Sequence, residues 1–374
     1  MTFKIIYPFL LLILIVAGII LRILWILQPG YLDGDVAVFA LMAKYIYDLK
    51  EFPIYIWSAH YAGALPSYLG AFLFTVFGMS IVTYKTVGVI YSCIWIYLTW
   101  LLLRNENYTL ESRFVALCVI LVPPLSVLSM SVFTGGCHPE TLIFINLLFL
   151  FLIKFNNEQF NVPLCYYAVF GFASGFGFWV TPGVFPVLMT LLIVFLIGDK
   201  KSFRKSCFFL FVSGFIIGIL PAIIYNIQYL GATLFRMGGR ILNLDRNVMD
   251  SGSLIEIVTK AVIWRISTIP SSLANIPILF VQLTGWPTVF AFAISLLVVL
   301  RKQWSTFFKD VNLNNIFLIY IICFVIFYVT LIGNQQTRYV VPLYAAYPIL
   351  VAGALSTLEG KLKNCLLILI RKHI

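Results

Sequence analysis

The chain has 374 residues, of which 62% are hydrophobic and only 10% are charged. Its mean hydropathy of +1.02 excludes a soluble globular domain. Apolar runs of about 20 residues recur along it, each long enough to cross a hydrocarbon core about 30 Å thick. The formal charge of +11 is spread over short loops between these runs, which is typical of topology signals. The composition therefore predicts a multi-pass protein surrounded by membrane lipid, with no nucleic-acid partner.

Ten apolar segments are predicted to cross the membrane as helices. The expected fold class is all-α, a polytopic transmembrane bundle forming a single domain over residues 1–374, without a soluble domain. The first segment is too long for a signal-peptide core and lacks a small-residue cleavage site, so we expect it to be retained. The segments are residues 5–27, 82–103, 113–131, 140–154, 163–179, 182–198, 207–228, 282–300, 316–333 and 342–358.

The distribution of basic residues predicts the orientation of this bundle. The strongest basic loop, residues 199–205, belongs in the cytoplasm, and ten spans then place both termini there. The external loops would be residues 30–80, 127–140, 229–281 and 333–341. Within the third of these loops, Leu254 to Ile266 is predicted to form a surface helix.

The segment Tyr61–Gly78 is apolar enough to form an eleventh span. If it crossed the membrane, the basic loops on either side of it could not share one compartment. Pro66 and the glycines at 63, 70 and 78 also weaken it as an ordinary helix. We therefore expect a juxtamembrane or re-entrant segment within the first external loop.

Two carboxylates, Asp33 and Asp35, follow the first span at the predicted membrane–water boundary. Residues 36–49 after them are predicted to form an amphipathic helix, and either aspartate could serve only as its N-cap. Acidic groups in such a setting are costly unless they are used. Both are therefore candidate catalytic residues.

A second motif, residues 134–141, has the sequence TGGCHPET. Its double glycine allows close backbone approach, and Pro139 with Glu140 suits the start of a helix. Neither feature explains why His138 and Glu140 lie at the mouth of a span, so Glu140 is a candidate catalytic residue and His138 a candidate substrate-binding residue. Asp35, His138 and Glu140 are also candidate ligands of a divalent cation such as Mg or Mn, although His-x-Glu alone is a weak signal. Metal-dependent and metal-free chemistry both stay open.

Two pairs of residues are candidates for phosphate binding. Arg338 and Tyr339 enter an apolar span from its predicted outer side. Arg236 and Arg240 are four positions apart beside glycines in the third external loop. A guanidinium group matches phosphate oxygens in a bidentate arrangement. Two simpler interpretations stay open. Arg338 could only anchor its span at the membrane interface, and Arg236 and Arg240 could lie on a solvated loop surface.

Acids and arginines thus converge on one face of a predicted helical bundle. This layout suits a reaction with a lipid-anchored, phosphate-bearing donor in the bilayer. The arginines would hold the phosphate, and a carboxylate would remove a proton from an acceptor hydroxyl.

Four segments resemble motifs of GT-C-type membrane glycosyltransferases, in the same order along the chain. Residues 32–80 resemble the first external loop of that family, and residues 135–141 its second acidic loop. The other two are the Gly-rich helix end at 171–182 and the Arg-Tyr-x-x-Pro motif at 338–344. The members that the chain resembles are protein-O-mannosyltransferase-like and lipid A aminoarabinose-transferase-like bacterial enzymes.

The resemblance implies a polyprenyl-phosphate-linked sugar donor and an inverting transfer to a hydroxyl of a glycan, lipid or protein acceptor. The reaction would take place on the extracytoplasmic face of the cytoplasmic (inner) membrane. It suggests Asp35 as the general base, with Asp33 beside it. Many relatives carry a glutamate where this chain has Val36, and many have a C-terminal soluble domain where this chain reaches Ile374.

The resemblance also implies roles for the later motifs. Glu140 and His138 would help to bind the acceptor or to position the base. Arg338 and Tyr339 would hold the lipid phosphate. Tyr61, in the matched first loop, is a further candidate for substrate binding.

Two other classes of function stay open from the residues. A transporter or lipid flippase would carry ionisable groups near the bilayer midplane, broken helices and internal repeats, whereas the predicted spans have almost no central charge. A non-catalytic scaffold subunit of a glycan assembly complex is the third interpretation, and the departure at Val36 keeps it open.

Overall fold

The computed structural model describes residues 2–28, 33–57, 59–104, 108–158, 162–197, 205–229, 233, 254–303, 313–332 and 337–372. These residues are mostly helical, with a single two-stranded sheet among them. The α-helices are α1 (Thr2–Ile26), α2 (Gly34–Tyr47), α3 (Leu65–Phe77), α4 (Ile81–Arg104), α5 (Leu110–Leu121), α6 (Leu125–Val132), α7 (His138–Asn157), α8 (Leu164–Val180), α9 (Phe185–Ile197), α10 (Lys205–Gly218), α11 (Leu220–Gln228), α12 (Leu254–Thr284), α13 (Trp286–Gln303), α14 (Leu313–Phe327) and α15 (Tyr347–Lys372). The other elements are β1 (Tyr55–Ile56), β2 (Ala59–Gly63), 3-10 helices at Pro182–Val184 and Thr337–Ala345, and a π-helical stretch at Tyr328–Ile332.

Each of the ten predicted spans coincides with an apolar helix or with two helices that follow one another. Within the described ranges, five helices are long and apolar enough to cross a membrane, and the bent pairs α5–α6 and α10–α11 bring the number to seven. The helices at 164–180, 182–196 and 314–330 are apolar but shorter. The predicted all-α, multi-pass membrane architecture is therefore confirmed, while the number of ten spans stays a prediction.

The first predicted external loop folds into α2, a β-hairpin and α3. In the hairpin, Tyr55 pairs with Gly63 and Ile56 with Ala59 in antiparallel register. Helix α3 has 13 residues, a length of about 20 Å, which is too short to cross a core about 30 Å thick. Pro66 lies in its first turn, where a missing N–H costs no helical hydrogen bond. The segment 61–78 is therefore not one ordinary helix, as Pro66 and the glycines predicted, and the length of α3 agrees with a juxtamembrane segment.

The predicted surface helix from Leu254 to Ile266 was too short, while the bounds of the predicted external loop 229–281 stay a prediction. The structure has one continuous helix, α12, of 31 residues. Pro270 and Pro277 lie inside it. A proline removes one backbone hydrogen bond and bends a helix, but it does not always end one.

Two large hydrophobic cores and a small third one, which joins α1, α4 and α6, hold the described residues together. The larger of the two large cores joins α5, α7, α8, α9, α14 and α15. The smaller of these two joins α2, the hairpin and α3 to α4 and to the turn before α7, and it includes Val36, Phe39, Tyr84, Phe133 and Cys137. This smaller core places the first acidic motif against the second.

Helices α8 and α10 approach each other through facing glycines. A Cβ at Gly171 or Gly175 would lie 2.0 or 2.1 Å from a carbonyl oxygen of α10. A Cβ at Gly214 or Gly218 would lie 2.1 or 2.3 Å from a carbonyl oxygen of α8. Each pair has the Gly-x3-Gly spacing, which lets helix backbones pack closely where no hydrophobic effect drives their association.

We predict that Gly214→Ala lowers the stability of the protein by roughly 1–3 kcal/mol, because the new methyl group forces α8 and α10 apart. Thermal unfolding of the purified protein in detergent measures this. Gly34→Ala is the matched control, since a Cβ at Gly34 meets no heavy atom within 4 Å. Equal unfolding temperatures for the two variants would contradict the prediction.

Arg22 lies in the first span and is completely buried. Its Nη1 donates to the carbonyl oxygens of Gly18 (2.9 Å) and Leu121 (3.0 Å), and its Nη2 donates to that of Ile120 (2.8 Å). Its Nε donates to the hydroxyl of Ser92. α5 ends at Leu121 and α6 begins a few residues later at an angle of 73°. Arg22 thus satisfies carbonyl groups that the break leaves without helical partners.

We expect Arg22→Met to destabilise the protein by roughly 2 kcal/mol or more, because the two carbonyl oxygens at the end of α5 lose their buried donors. Ile23→Met is the control on the same helix, at a side chain that is 40% exposed. Both variants can be compared by thermal unfolding in detergent. If the Arg22 variant matched the Ile23 variant, the capping role of Arg22 would be disproved.

Candidate functional site

Asp33 is the N-cap of α2. Its carboxylate accepts a hydrogen bond of 2.8 Å from the backbone N–H of Asp35. This confirms the capping interpretation for Asp33, whose side chain is exposed. Asp35 follows in the first turn of the helix, where the helix dipole favours a negative charge. The cap therefore fixes the backbone that carries Asp35.

Asp35 and Arg338 form an ion pair although they are 303 positions apart in the chain. Nη1 of Arg338 donates to Oδ2 of Asp35 at 3.4 Å. The side chain of Asp35 is 45% exposed, and that of Arg338 is 33% exposed. An ion pair with this much exposure is worth about 0–1 kcal/mol, so a competing ligand can break it. The guanidinium also lies 5.4 Å from the ring centroid of Tyr339.

The double glycine of the second motif packs directly against Asp35 at the start of α2 and against His138. A Cβ at Gly135 would lie 2.8 Å from the backbone nitrogen of Val36 and 3.0 Å from Cβ of Asp35. A Cβ at Gly136 would lie 2.7 Å from Nε2 of His138. Only glycine leaves room for both approaches. The predicted close backbone approach is therefore confirmed, and its partner is the start of α2.

His138 and Glu140 begin α7, and both are buried. The Glu140 side chain is 1% exposed, and apart from its own backbone N–H its oxygens have no hydrogen-bond partner among the described residues. Tyr84 and Tyr91 lie close enough to interact with it electrostatically. Burying an unpaired charge costs far more than burying a neutral carboxyl group. This environment favours a neutral side chain at position 140.

We predict that Glu140→Gln preserves stability, because the amide has the shape of the neutral acid and carries no charge. Glu140→Ala should cost roughly 2–3 kcal/mol, because it leaves a void beside Tyr84 and Tyr91. Thermal unfolding of the two variants beside the wild type gives the comparison. A loss in Glu140→Gln as large as that in Glu140→Ala would show that a charged carboxylate is required.

The candidate metal ligands Asp35, His138 and Glu140 do not form a metal site in this arrangement. Across the part of the chain that the structure describes, no three His, Cys, Asp or Glu side chains are grouped to hold an ion. Asp35 contacts Arg338, while the carboxylate of Glu140 is buried. The residues therefore do not fit the divalent cation considered from the sequence.

The remaining candidates are placed in different ways. Tyr61 lies on β2 and packs against the smaller core that contains Val36. Arg236 and Arg240 lie outside the described residues.

Asp48, at the other end of α2, accepts hydrogen bonds from Lys44 (2.7 Å) and Lys50 (3.1 Å). These hydrogen bonds lower the pKa of Asp48 below its ordinary value.

Sequence reasoning missed Lys85. It lies near the start of α4 and lines a small cavity together with Trp25, Val36 and Thr134. Val36 and Thr134 are the chain neighbours of Asp35 and Gly135, whereas Asp35 and Arg338 themselves do not line the cavity. A lysine one turn inside an apolar span was the available signal, since charged groups within spans are costly.

The fold is similar to that of a solved protein. The crystal structure of ArnT from Cupriavidus metallidurans bound to undecaprenyl phosphate aligns with a TM-score of 0.56 and 13% identity. The alignment covers 92% of this chain and 60% of that one, so this chain spans less than two thirds of the length of ArnT. No family model and no curated protein sequence matches the chain.

At this identity the likeness establishes the fold. The chain is a multi-pass α-helical membrane protein with a GT-C-type fold. The first acidic motif, the double glycine of the second motif and the late Arg-Tyr pair meet at one place in that fold.

Proposed function

We propose that this protein is a membrane glycosyltransferase. It moves a sugar from a polyprenyl-phosphate-linked donor to a hydroxyl of a glycan, lipid or protein acceptor on the extracytoplasmic face of the cytoplasmic membrane. The observation that carries the proposal is the contact between a carboxylate, Asp35, and a guanidinium, Arg338, in a GT-C-type bundle. The structure of ArnT with undecaprenyl phosphate supports a donor of the polyprenyl-phosphate type.

In this proposal Arg338 binds the phosphate of the donor. A phosphate offers several oxygens to the guanidinium fork, whereas Asp35 accepts one contact of 3.4 Å. The donor phosphate therefore competes with Asp35 for Arg338. Tyr339, beside the guanidinium, contributes to the same phosphate site.

Donor binding would then free Asp35 to act as the general base. The acceptor oxygen attacks the anomeric carbon, and Asp35 takes the hydroxyl proton. The bond between that carbon and the phosphate oxygen breaks, and polyprenyl phosphate leaves with the electron pair. Arg338 stabilises the charge that develops on the leaving phosphate. One displacement at the anomeric carbon inverts its configuration.

Neighbouring residues hold Asp35 and the turn that contacts it in position for this step. Asp33 holds the first turn of α2 through its cap. His138 and Glu140 are buried at the start of α7, next to the turn that contacts Asp35. We assign them to positioning that turn.

We expect Asp35→Asn to reduce sugar transfer at least 100-fold, because the amide cannot accept the proton. Arg338→Met should raise the KM for the donor at least tenfold. Transfer of radiolabelled sugar from synthetic polyprenyl-phosphate sugars to acceptors in a native membrane extract measures both effects. Parallel reactions with EDTA test whether a divalent cation is needed.

Asp48→Asn is the matched control, because this carboxylate is at the opposite end of α2 and pairs with Lys44 and Lys50. It should transfer sugar at the wild-type rate. Equal background signal from wild type and Asp35→Asn across a broad panel of donors would overturn the proposed function. Such a result would favour a transporter or a scaffold subunit.

A further inference from the structure

We propose that Pro342 is a positioning residue, because it holds the segment Thr337–Ala345 in the helical form that directs Arg338 toward Asp35. This inference rests on the proposed function and deepens it, since Arg338 is the residue that would bind the donor phosphate. Pro342 closes the Arg-Tyr-x-x-Pro motif, and the reaction steps proposed above leave it without a role.

The segment that carries Arg338 is a 3-10 helix of unusual length. It has nine residues, Thr337–Ala345, whereas 3-10 helices seldom exceed three or four. Even after it, the N–H of Ala346 donates to the carbonyl oxygen of Leu343, three positions earlier (3.1 Å), and α15 begins at Tyr347. The hydrogen bonds of a 3-10 helix have poorer geometry than those of an α-helix, so a run of this length needs a cause.

Pro342 lies inside this 3-10 helix and supplies the cause. In an α-helix its ring would clash with the carbonyl group of Arg338, four positions earlier, and its nitrogen would have no hydrogen to donate to that group. In a 3-10 helix the carbonyl of residue 338 faces the N–H of Val341 instead, three positions later. The proline therefore disfavours the α-helical form at the residue that pairs with Asp35.

Two tyrosine hydroxyls anchor the later part of this helix. Tyr320 of α14 donates to the carbonyl oxygen of Pro342 (2.9 Å), and Tyr344 donates to a carbonyl oxygen of α5 (2.9 Å). Residues 340–345 are all buried. Arg338, by contrast, is one-third exposed. The helix is therefore fixed at Pro342 and has room to turn at Arg338.

The type of helix decides the direction of the Arg338 side chain. Each residue turns the chain by about 120° in a 3-10 helix and by about 100° in an α-helix. Between the anchored Pro342 and Arg338, four residues earlier, the two forms therefore differ by about 80° in direction. An α-helical segment would turn the guanidinium away from Asp35 and from the phosphate site beside it.

A crystal structure of the Pro342→Ala variant tests this geometry without any substrate. We expect an α-helix through residues 338–342 and a guanidinium of Arg338 beyond the roughly 4 Å limit of an ion pair with Asp35. Pro270→Ala is the matched control, because Pro270 also lies inside a helix and is exposed. This control should keep the ion pair. A Pro342→Ala variant that keeps both the 3-10 helix and the ion pair would overturn the proposal.

Donor kinetics test the consequence for the reaction. Pro342→Ala should raise the KM for the polyprenyl-phosphate sugar at least fivefold, whereas Pro270→Ala should not change it. Arg338→Met, expected to raise this KM at least tenfold in the wild type, should raise it less than twofold in the Pro342→Ala background, because residues that act together are not additive. A purely structural proline would leave the full effect of Arg338→Met in the folded fraction, and that result would contradict the positioning role.

A second variant serves if Pro342→Ala does not fold. Tyr320→Phe removes only the hydroxyl that anchors the carbonyl group of Pro342, and it should raise the donor KM about threefold. Tyr68→Phe is its control, because the Tyr68 hydroxyl likewise donates to a proline carbonyl, that of Pro53 (3.1 Å). Equal donor KM values for the two tyrosine variants would count against the anchoring on which the proposal depends.

The experiments separate this proposal from the proposed function. Absence of transfer by the wild type, or an Arg338→Met variant with the wild-type KM, would count against the proposed function. The structure of the Pro342→Ala variant would then decide alone whether the proline directs Arg338 toward Asp35.

Discussion

The structure depends on one buried cation in the first helix. Backbone groups that face hydrocarbon need a partner, so a helix cannot break inside a bundle unless its free carbonyl groups are satisfied. Arg22 supplies the donors at the end of α5, and through Ser92 it also reaches Ser131 of α6. α6 then leaves at an angle of 73°. Gly88 lets α4 pack closely against α6, because a Cβ at this position would lie 2.0 Å from the carbonyl oxygen of Val132.

This bend determines where the candidate site forms. α6 ends at Val132, and the turn that follows carries the double glycine to the start of α2. Asp35 is thus held by its own helix cap, by the turn at Gly135 and by Arg338 from the far end of the chain. Each of these three contacts comes from a different part of the sequence. A change in the α5–α6 break would therefore move the site without touching any of its candidate residues.

Local rules predicted the features that depend on neighbouring residues. The hydropathy of the apolar runs predicted the helices, and the cap at Asp33 and the helix start at Pro139 follow from short patterns. Features that depend on packing between residues far apart in the sequence could not be predicted from local patterns. The contact of Asp35 with Arg338 spans 303 positions, and the continuation of α12 past Pro270 requires support from elements that local patterns do not identify. The cavity lined by Lys85 forms where four helices meet, and local patterns place Lys85 only within a predicted span.

Two contrasts within this protein explain why exposure matters more than residue type. Arg22 and Arg338 are both arginines near the ends of apolar segments, yet Arg22 is buried and donates to backbone and hydroxyl oxygens. Replacing Arg22 would leave these buried oxygens without a hydrogen-bond donor, so Arg22 is a structural residue. Arg338 makes a long contact of 3.4 Å with Asp35, lies over the ring of Tyr339 and remains one-third exposed.

The two carboxylates differ in the same way. Glu140 is buried and has no cation in contact with it among the described residues, whereas Asp35 is 45% exposed. A weak, solvated pair can be exchanged for a phosphate at little cost, because water already screens it. A buried pair would resist that exchange, since each partner would lose its compensation in a low-dielectric interior. The partial exposure of Asp35 and Arg338 is therefore the property that suits them to alternate between pairing with each other and contacting a substrate.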